Sequence, residues 1–431
     1  MRRALLLLAL VAGTARAQLP PGADGPLTLD QAVAAALAHQ PQLAGARAQV
    51  RAAQARTTQA TSGLLPQVSG TAHAGTSNTT TTSVTLPGGA TSTVTSGGQS
   101  WSFHLDASQA LFDAGTWMRA SASRASADAQ ARTEQATLAT VVLNVRSAWF
   151  SASAARDLVA VAKDSLANKE QHLKQVQGFV EVGTRPEIDL AQARADRANA
   201  RVVLISAENG LATSHAQLNQ AMGVVAGTDY PLAPDTFGAQ PGEDASIETL
   251  MQEALAARPD VAAQQKVRDA QQATLRAAQA GYLPTVGAAG QIAETGPRAD
   301  DTRRSWNAGL TLTWPLFQGF QTRGQTAEAE ANLDAVDATL EALRQQVRLE
   351  VEQAQLGVRA AKASVEATHE ASLNTRELLR LAEARYQAGL GNAIELSDAQ
   401  VSATNAAAQE VQARFTLSSA RAQLARALGR S

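Results

Sequence analysis

The sequence predicts a mixed α/β membrane protein that is mainly α-helical and is built from two tandem repeats. Three observations predict this fold class: a long-period internal repeat, short segments in which apolar and polar residues alternate, and very long apolar seams without proline. Aromatic residues are 4% and charged residues 18% of the 431 residues, with a net charge of −2 and no cysteine. Large core-filling side chains are therefore too scarce for several thick globular cores, and the charge does not favour a nucleic-acid partner.

The first residues contain the three parts of an export signal in the usual order. Arg2 and Arg3 are basic, residues 4–12 are apolar, and Ala15-Arg16-Ala17 offers small residues for cleavage. The apolar run is about half of the ~20 residues that a membrane-spanning helix needs. We therefore predict a signal peptide at residues 1–17, and the alternative is a buried N-terminal helix.

Two copies of one plan occupy the rest of the chain. We place the first repeat at residues 27–223 and the second at residues 246–429, with a Gly/Pro-rich linker at residues 224–245 between them. Short motifs recur in both repeats in the same order: Ala36-Leu37-Ala38 and Ala254-Leu255-Ala256, then Gly63-Leu64-Leu65-Pro66 and Gly281-Tyr282-Leu283-Pro284, then Gly183 and Gly389. A constant order over this length indicates duplication.

Each repeat opens with a helical segment. In the first repeat Thr28 and Gln31 form a capping-box pattern, in which the Thr28 hydroxyl accepts a hydrogen bond from an early amide. We expect Pro41 to begin a new helix or to bend the first one. Gly63, followed by Pro66, is expected to end the helical segment.

Each repeat then supplies two predicted strands of about ten residues, which is long enough to cross a bilayer when the strands are tilted. The clearest strand covers residues 306–314, in which the apolar positions alternate with small or polar ones. Aromatic residues in these strands resemble the belt of an outer-membrane barrel, and we assign that role to Trp101, Phe103, Trp306 and Trp314. The alternative is a half-buried sheet in a soluble domain. The Thr/Ser/Gly-rich stretch at 76–100 is predicted to be a loop.

Very long helices follow the strands. Apolar residues recur at steps of three and four over 138–180 and again over 333–365, as in the seam of a coiled coil. Lys169 is the residue out of character in the first seam. A helix over residues 119–178 would be ~90 Å long, which no globular core requires. Glycine-containing tips at 182–187 and 388–392 break the two rods, and each helix then resumes to form an antiparallel pair.

Four candidate strands in one chain require an assembly. An isolated four-stranded sheet in lipid leaves two edges whose backbone groups have no partner, and closed barrels need about eight strands or more. Dimers, trimers and tetramers would all satisfy this requirement. The sequence nominates no nucleophile, general base, cofactor or metal site, and we expect the histidines, His172, His215 and His369 among them, to be unpaired surface or lumen residues. An enzyme is therefore the least supported class.

These features together resemble the TolC family of outer-membrane efflux proteins. The resemblance rests on the duplicated order, the Leu-Pro after each first helix, the Gly-centred tips, and two junctions after the strands, Leu111-Phe112-Asp113 and Leu316-Phe317-Gln318-Gly319. It covers residues 27–429. The resemblance implies a homotrimer in the outer membrane, with a twelve-stranded transmembrane β-barrel continued by a periplasmic tunnel of antiparallel helices.

The same resemblance implies partners and a function. The expected partners are outer-membrane lipid, a periplasmic adaptor (membrane fusion) protein and an inner-membrane exporter of the RND, ABC or MFS type. The expected function is passive export across the outer membrane, from the periplasm or from a tripartite pump or type I secretion complex. The rival hypothesis from another class is a periplasmic coiled-coil adaptor or scaffold without a membrane barrel. The sequence does not identify the cargo.

Family resemblance also assigns residues to the tips. It implies an acidic ring at Glu395 and Asp398, a further acidic site at Asp189, and an aromatic lock at Tyr386. The alternative is that the acids are ordinary solvated helix charges. One family arginine is replaced here by Gly391, whereas Arg185 occupies the corresponding place in the other repeat, so we expect Arg185 and Asp189 to contact the inner helix pair. Adaptor docking is assigned to the exposed tips, with Val182, Gly183, Thr184, Gly389, Leu390 and Gly391.

Overall fold

A computed structural model describes residues 25–77, 81–85, 87, 89, 91–95, 98–225, 227, 230–234 and 237–430. The predicted signal peptide at 1–17 lies outside these residues. Within them, no helix combines the length and the hydropathy that a bilayer span requires.

The two halves of the chain share an order of two helices, a pair of long strands and two further helices, and the first half has two additional short strands. The first half contains α1 (Leu29–His39), α2 (Pro41–Ser62), β1 (Gln67–Ser77), β2 (Thr81–Thr85), β3 (Thr91–Thr95), β4 (Gly98–Phe112), α3 (Ala114–Glu181) and α4 (Glu187–Met222). The second half contains α5 (Ile247–Ala257), α6 (Pro259–Gln279), β5 (Thr285–Arg298), β6 (Asp301–Thr313), α7 (Gln321–Gln387) and α8 (Ala393–Ala427). The long helices α3 and α7 have 68 and 67 residues and lie at equivalent places in the two halves.

The local signals at the first helix act as the sequence predicts. The Thr28 hydroxyl accepts from the Gln31 amide at 3.3 Å, and the Gln31 side chain accepts from the Thr28 amide at 3.0 Å. Gln40 is extended, as a residue before proline should be, and α2 then begins at Pro41. The second helix ends at Ser62, directly before Gly63.

The chain folds as two compact units. Among the described residues, the first contains those of 25–47, 134–259 and 344–430, and the second contains those of 48–133 and 260–343. Each unit therefore draws on both halves of the sequence.

The second unit contains an antiparallel four-stranded sheet with the strand order β1-β4-β5-β6. Strands β2 and β3 pair separately as a short hairpin. The sequence interpretation of 76–100 as a loop was therefore wrong for this hairpin, because the Thr and Val residues of β2 and β3 favour strands although the segment lacks a clear apolar alternation.

One face of the four-stranded sheet is apolar and exposed. The register places Leu105, Ile292 and Trp306 side by side across β4, β5 and β6. Large apolar side chains on this face and directly after β6 are open to solvent: Trp101 41%, Phe103 48%, Trp306 77%, Leu310 73%, Leu312 65% and Trp314 59% exposed. A sheet in a soluble domain would bury this face, so the burial pattern contradicts the soluble-sheet alternative.

The opposite face of the sheet is polar. Gln291 Nε2 donates to Asp106 Oδ1 at 2.7 Å, and Asn307 Nδ2 donates to Gln291 Oε1 at 3.4 Å. This row joins β4, β5 and β6 through side chains. Alternation of apolar and polar positions therefore gives the sheet one face suited to hydrocarbon and one suited to water.

The first unit is held by a core around Trp149 and Phe150, which are 0% and 2% exposed. The segment between the two halves packs on this core. Its Phe237 ring lies 5.4 Å from that of Phe150, and Leu27 exchanges backbone hydrogen bonds of 2.9 and 2.8 Å with Pro231 and Ala233.

Two equivalent glycines close the helical pairs of the first unit. Gly223 follows α4 and Gly429 follows α8, with φ of 70° and 76°. A Cβ at Gly223 would lie 2.7 Å from the Gln40 Cα, and a Cβ at Gly429 would lie 2.9 Å from the Ala257 carbonyl carbon. Each glycine therefore allows a helix end to contact the backbone where the two opening helices of its half meet.

Candidate gate at the helix tips

The same turn ends both long helices. Gly183 and Gly389 have φ of 77° and 74°, in the left-handed region that glycine adopts at low cost. After α3, the Thr184 amide donates to the Phe179 carbonyl at 2.9 Å, and after α7 the Leu390 amide donates to the Arg385 carbonyl at 2.9 Å. Because the hydrogen bonds have the same spacing, the next residues, Arg185 and Gly391, are structurally equivalent.

Arg185 joins the two tips. Its Nη2 donates to the Gly391 carbonyl oxygen at 3.2 Å, and its guanidinium carbon lies 4.8 Å from the centroid of the Tyr386 ring. The cation thus comes from the α3–α4 tip and its acceptors lie on the α7–α8 tip. A Cβ at Gly391 would lie 3.2 Å from the Tyr386 amide nitrogen, so a small residue suits this place.

Tyr386 is the buried centre of the tip cluster and is 1% exposed. Its ring lies 5.2 Å from that of His172 and 6.3 Å from that of Phe179. Its hydroxyl is buried without a hydrogen-bond partner among the described residues. Burial raises the pKa of Tyr386, the charge of Asp189 adds to this rise and Arg185 opposes it. Among the described residues, Tyr386 therefore makes its contacts through the ring and not through the hydroxyl.

The expectation of unpaired surface or lumen residues, made for His73, His104, His172, His215 and His369, is wrong for the last three. His172 and His215 are 8% and 5% exposed, and His369 Nδ1 lies 3.0 Å from Glu410 Oε1. Burial lowers the pKa of His172, and the neighbouring Lys169 lowers it further. The expectation was wrong because neutral imidazole packs readily against aromatic rings, as His172 does against Tyr386.

The candidate ring acids lie at the start of α8. Asn392 caps this helix by accepting from the Glu395 amide at 2.6 Å. The Glu395 carboxylate lies 3.6 Å from Arg385 Nε on the preceding helix, whereas Asp398 is one turn further on. The structure brings Arg185 and Tyr386 together. The cation nearest to Glu395 within the chain is Arg385 and not Arg185.

A second link between the helix pairs lies further from the tip. Lys169 Nζ on α3 donates to Asp196 Oδ2 on α4 at 2.9 Å, and the Ser397 hydroxyl on α8 donates to the same oxygen at 3.1 Å. The Lys169 and Asp196 side chains are only 9% and 14% exposed. Sequence reasoning missed this link, although a lysine on an apolar seam was its signal.

The tip loops and the first turns of the helices that follow them expose apolar side chains. Four of them are more than two-thirds exposed: Val182 71%, Ile188 72%, Leu390 76% and Ile394 71%. Gly183, Thr184, Gly389 and Gly391 form the turns that present them. Exposed apolar residues on rigid helix ends are suited to contact with another protein.

The fold and the contacts at the helix tips together define a class of protein. A mainly helical chain with an antiparallel sheet, an exposed apolar sheet face and interlocked tips on long helical pairs has the architecture of an outer-membrane channel-tunnel. The chain belongs to the family described as Outer membrane efflux protein, which matches residues 32–224 and 250–430. It is an outer-membrane protein, and its family consists of channel proteins rather than enzymes.

Two curated relatives illustrate the similarity. Protein CyaE of Bordetella pertussis is 30% identical over 301 residues, covering 67% of this chain and 62% of the relative. Outer membrane protein TolC of Escherichia coli is 24% identical over 327 residues, covering 72% of this chain and 66% of the relative. The matched segment thus spans less than two-thirds of the length of these relatives.

Solved structures share the fold. The structure of CusC superposes with a TM-score of 0.80 at 20% identity, covering 93% of this chain and 92% of that one. The outer-membrane channel OprN superposes with a TM-score of 0.78 at 21% identity, covering 94% and 90%.

Proposed function

We propose that this protein is a passive export duct of the outer membrane, assembled as a homotrimer and gated at its periplasmic helix tips. Four strands from each of three copies would form a twelve-stranded barrel, and the long helices would continue it as a periplasmic tunnel. Cargo would enter from the periplasm or from a tripartite pump or type I secretion complex. The chain itself would do no chemistry.

The exposed apolar face of the four-stranded sheet is the observation that carries this proposal. Exposing Trp306, Leu310 and Leu312 to water would be costly, at about 25 cal/mol for each Å² of apolar surface. Burial in lipid removes that cost. The polar row that contains Asp106 and Gln291 would then face a water-filled lumen.

The sheet edges require other copies of the chain. β1 and β6 are the outer strands of the described sheet, and they run in opposite directions. β6 of one copy can therefore pair antiparallel with β1 of the next, which satisfies the edge groups in hydrocarbon. Three copies follow from the family resemblance, whereas the edges alone also allow two or four.

The tip contacts support a closed resting gate. Arg185 and the Lys169–Asp196–Ser397 link both join the α3–α4 pair to the α7–α8 pair. Moving the α7–α8 pair outward would break both. In a trimer, Glu395 and Asp398 would be repeated around the axis, where clustered carboxylates attract cations and resist anions.

The exposed tip residues support docking of a periplasmic adaptor. Val182 and Leu390 lie in the α3–α4 and α7–α8 loops, and Ile188 and Ile394 lie in the first turns of the helices that follow. The adaptor would join the duct to an inner-membrane exporter of the RND, ABC or MFS type.

Reconstitution tests the function. The full chain, extracted in detergent, should migrate as an oligomer that becomes a monomer only on heating, and it should give discrete conductance steps in planar bilayers. A control with Leu310 changed to Arg should insert poorly, because an arginine on the lipid face near mid-bilayer costs ~2–4 kcal/mol in outer-membrane barrels. Recovery of the wild-type chain as a soluble monomer without conductance would favour the scaffold hypothesis instead.

A further inference from the structure

A charged pair interrupts the apolar face of the sheet near its outer hairpin. Glu294 on β5 is directly opposite Arg304 on β6, in the next row on the same face as Ile292 and Trp306. Arg304 Nε donates to Glu294 Oε1 at 2.9 Å, and its Nη2 lies 2.8 Å from the same oxygen. The Arg304 side chain is 74% exposed and that of Glu294 is 35% exposed. Both contacts use one carboxylate oxygen, so most of the guanidinium surface stays open to a further ligand.

The height of this pair on the sheet is informative. Arg304 precedes Trp314 by ten residues. At ~3.3 Å per residue and a tilt of ~40°, the two lie ~25 Å apart along the membrane normal, which is the height of the apolar band of an outer-membrane barrel. With Trp314 at the periplasmic boundary, Arg304 lies at the opposite headgroup level. A charge on the lipid face costs little there, in contrast to the midplane.

We propose that Arg304, oriented by Glu294, binds the anionic phosphate of a lipid headgroup at the outer boundary of the membrane. This inference rests on the proposed function, because it requires the apolar sheet face to lie in lipid. Guanidinium groups bind phosphate through paired N–H donors, and Glu294 holds Arg304 against the sheet so that less side-chain freedom is lost on binding. Continuity with the exposed row at Trp306 indicates lipid as the occupant.

The adjacent arginine provides a matched control. Arg303 is opposite Thr295 and therefore lies on the polar face, whereas Arg304 is opposite Glu294 on the apolar face. The two substitutions Arg304→Gln and Arg303→Gln remove the same charge at the same height. They differ in the face of the sheet from which the charge is removed.

The experiment uses the full-length oligomer in vesicles of phosphatidylcholine, with and without one-fifth phosphatidic acid. The measurement is the temperature at which the oligomer dissociates. For the wild type and Arg303→Gln we expect phosphatidic acid to raise this temperature, by about 1 °C for each ~1 kcal/mol that the contact contributes in a 431-residue subunit. For Arg304→Gln we expect no rise. Equal rises in Arg304→Gln and the wild type would overturn the inference.

Two further arms identify the source of the effect. If 10 mM inorganic phosphate in pure phosphatidylcholine gave the same rise, the site would take free phosphate and the lipid inference would be wrong. If the rise required Mg²⁺ and disappeared in Glu294→Gln but persisted in Arg304→Gln, a bridging cation would explain it and the inference would be wrong as well.

Failure of this inference is distinguishable from failure of the proposed function. Brominated phosphatidylcholine quenches the fluorescence of tryptophan residues that lie in lipid. The difference in quenching between the wild type and Trp306→Phe therefore reports whether Trp306 lies in lipid. Quenching without an effect of Arg304→Gln would overturn the headgroup site alone. The absence of quenching would overturn both the membrane-facing sheet and the headgroup site.

Discussion

Arg185 Nη2 lies 3.2 Å from the carbonyl oxygen of Gly391, so the α3–α4 tip holds the α7–α8 tip by a hydrogen bond from a charged donor. The same guanidinium covers the Tyr386 ring at 4.8 Å. The acceptor is a backbone carbonyl and the second partner is an aromatic face, so this arginine contact does not depend on the ionisation of a carboxylate.

The first prediction concerns Arg185. We expect Arg185→Gln to increase the open fraction and the mean conductance of single pores in planar bilayers. A hydrogen bond from a charged donor contributes about 1.5–3 kcal/mol, so removing it from one subunit should lower the closed-to-open ratio roughly tenfold or more. Arg197→Gln is the control, because Arg197 pairs with Glu170 at 3.2 Å within the α3–α4 pair. Equal conductances of Arg185→Gln and wild type would show that Arg185 does not hold the tips together.

The second prediction separates the ring of Tyr386 from its hydroxyl. Since the hydroxyl has no hydrogen-bond partner among the described residues, Tyr386→Phe should leave conductance unchanged and should not destabilise the tip. Tyr386→Ala removes the surface that Arg185 and His172 pack against, and it should increase conductance. Conductance recordings of both variants check this. An open pore in Tyr386→Phe would mean that the hydroxyl bonds to another copy of the chain.

The sequence was sufficient to predict the two glycine turns after the long helices. Glycine has a specific conformational role in such turns, so Gly183 and Gly389 could be aligned and the residues after them compared. The stacking of Arg185 on Tyr386 was not predictable, because it depends on the separation of two helix pairs distant in sequence. Periodicity specifies which face of a helix is buried but not which helix covers it.

Lys169 shows a different limit of sequence reasoning. Its place in an apolar seam was visible, but whether a seam lysine is buried or reaches the surface depends on a partner. That partner is Asp196, which is 27 residues further along the chain and is supplied by the antiparallel return of α4. The short hairpin β2–β3 was missed for another reason, since its Thr residues favour strands but the stretch has no apolar alternation and contains many Ser and Gly residues.

The third prediction concerns the Lys169–Asp196–Ser397 link. Ser397→Ala removes the contribution of α8 to the link and should increase pore opening with little loss of helix-pair stability. Lys169→Met leaves the Asp196 carboxylate without its cation at a largely buried site, and it should destabilise the fold by about 3 kcal/mol. Conductance and thermal loss of helical circular dichroism measure the two effects separately. Equal conductance of Ser397→Ala and wild type would restrict the link to a structural role within α3 and α4.

The ionisation of Asp196 determines the pH range of this link. Burial acts to raise its pKa, but the hydrogen bonds from Lys169, Gln192 and Ser397 outweigh burial and hold the pKa below its usual range. A carboxyl with a depressed folded-state pKa contributes stability that is complete above its unfolded pKa of ~3.9 and is lost as the pH falls through the folded value. Mildly acidic media near pH ~5 should therefore leave this link intact.

The fourth prediction concerns Glu243, in the segment between the two halves. Its side chain is 5% exposed and lies 2.7 Å from Lys362 Nζ on α7 and 3.2 Å from Arg421 Nε on α8. Burial alone would raise its pKa, but hydrogen bonds from Lys362, the Gln240 amide and Arg421 hold the pKa below its ordinary value. Glu243→Gln should therefore lower stability at neutral pH by about 3 kcal/mol, because it leaves two cations without their shared carboxylate.

The pH dependence of unfolding checks this assignment. Wild-type stability should be complete above pH ~4.3 and fall as the pH drops through the depressed folded-state pKa, whereas Glu243→Gln should show a weaker decline over that range. Asp244→Asn is the control, since the Asp244 side chain is 73% exposed beside the same lysine. If the stability of the wild type and that of Glu243→Gln fell in parallel as the pH decreased, other carboxyl groups would determine the loss of stability in acid.

The fifth prediction concerns the turn between β6 and α7. Phe320 has φ of 65°, a left-handed conformation that is strained for a bulky residue, and the preceding Gly319 has φ of 58°. Phe320→Gly should stabilise the protein by about 1 kcal/mol through relief of this strain. Gly319→Ala should destabilise it by a similar amount, about 1 kcal/mol, through the backbone alone, because a Cβ there meets no atom within 4 Å.

The two substitutions are expected to change the stability in opposite directions, which distinguishes the effect of backbone strain from a general loss of stability. The measurement is the temperature at which the oligomer dissociates. Phe320 is 69% exposed and its ring contacts Phe317 edge-to-face at 5.5 Å. If Phe320→Gly destabilised the oligomer, the aromatic side chain would contribute more through contacts in the membrane or with a neighbouring copy than its strained backbone costs. Phe320→Ala would then separate these effects, since it keeps the strain, removes the ring and should destabilise the oligomer by more than Phe320→Gly does.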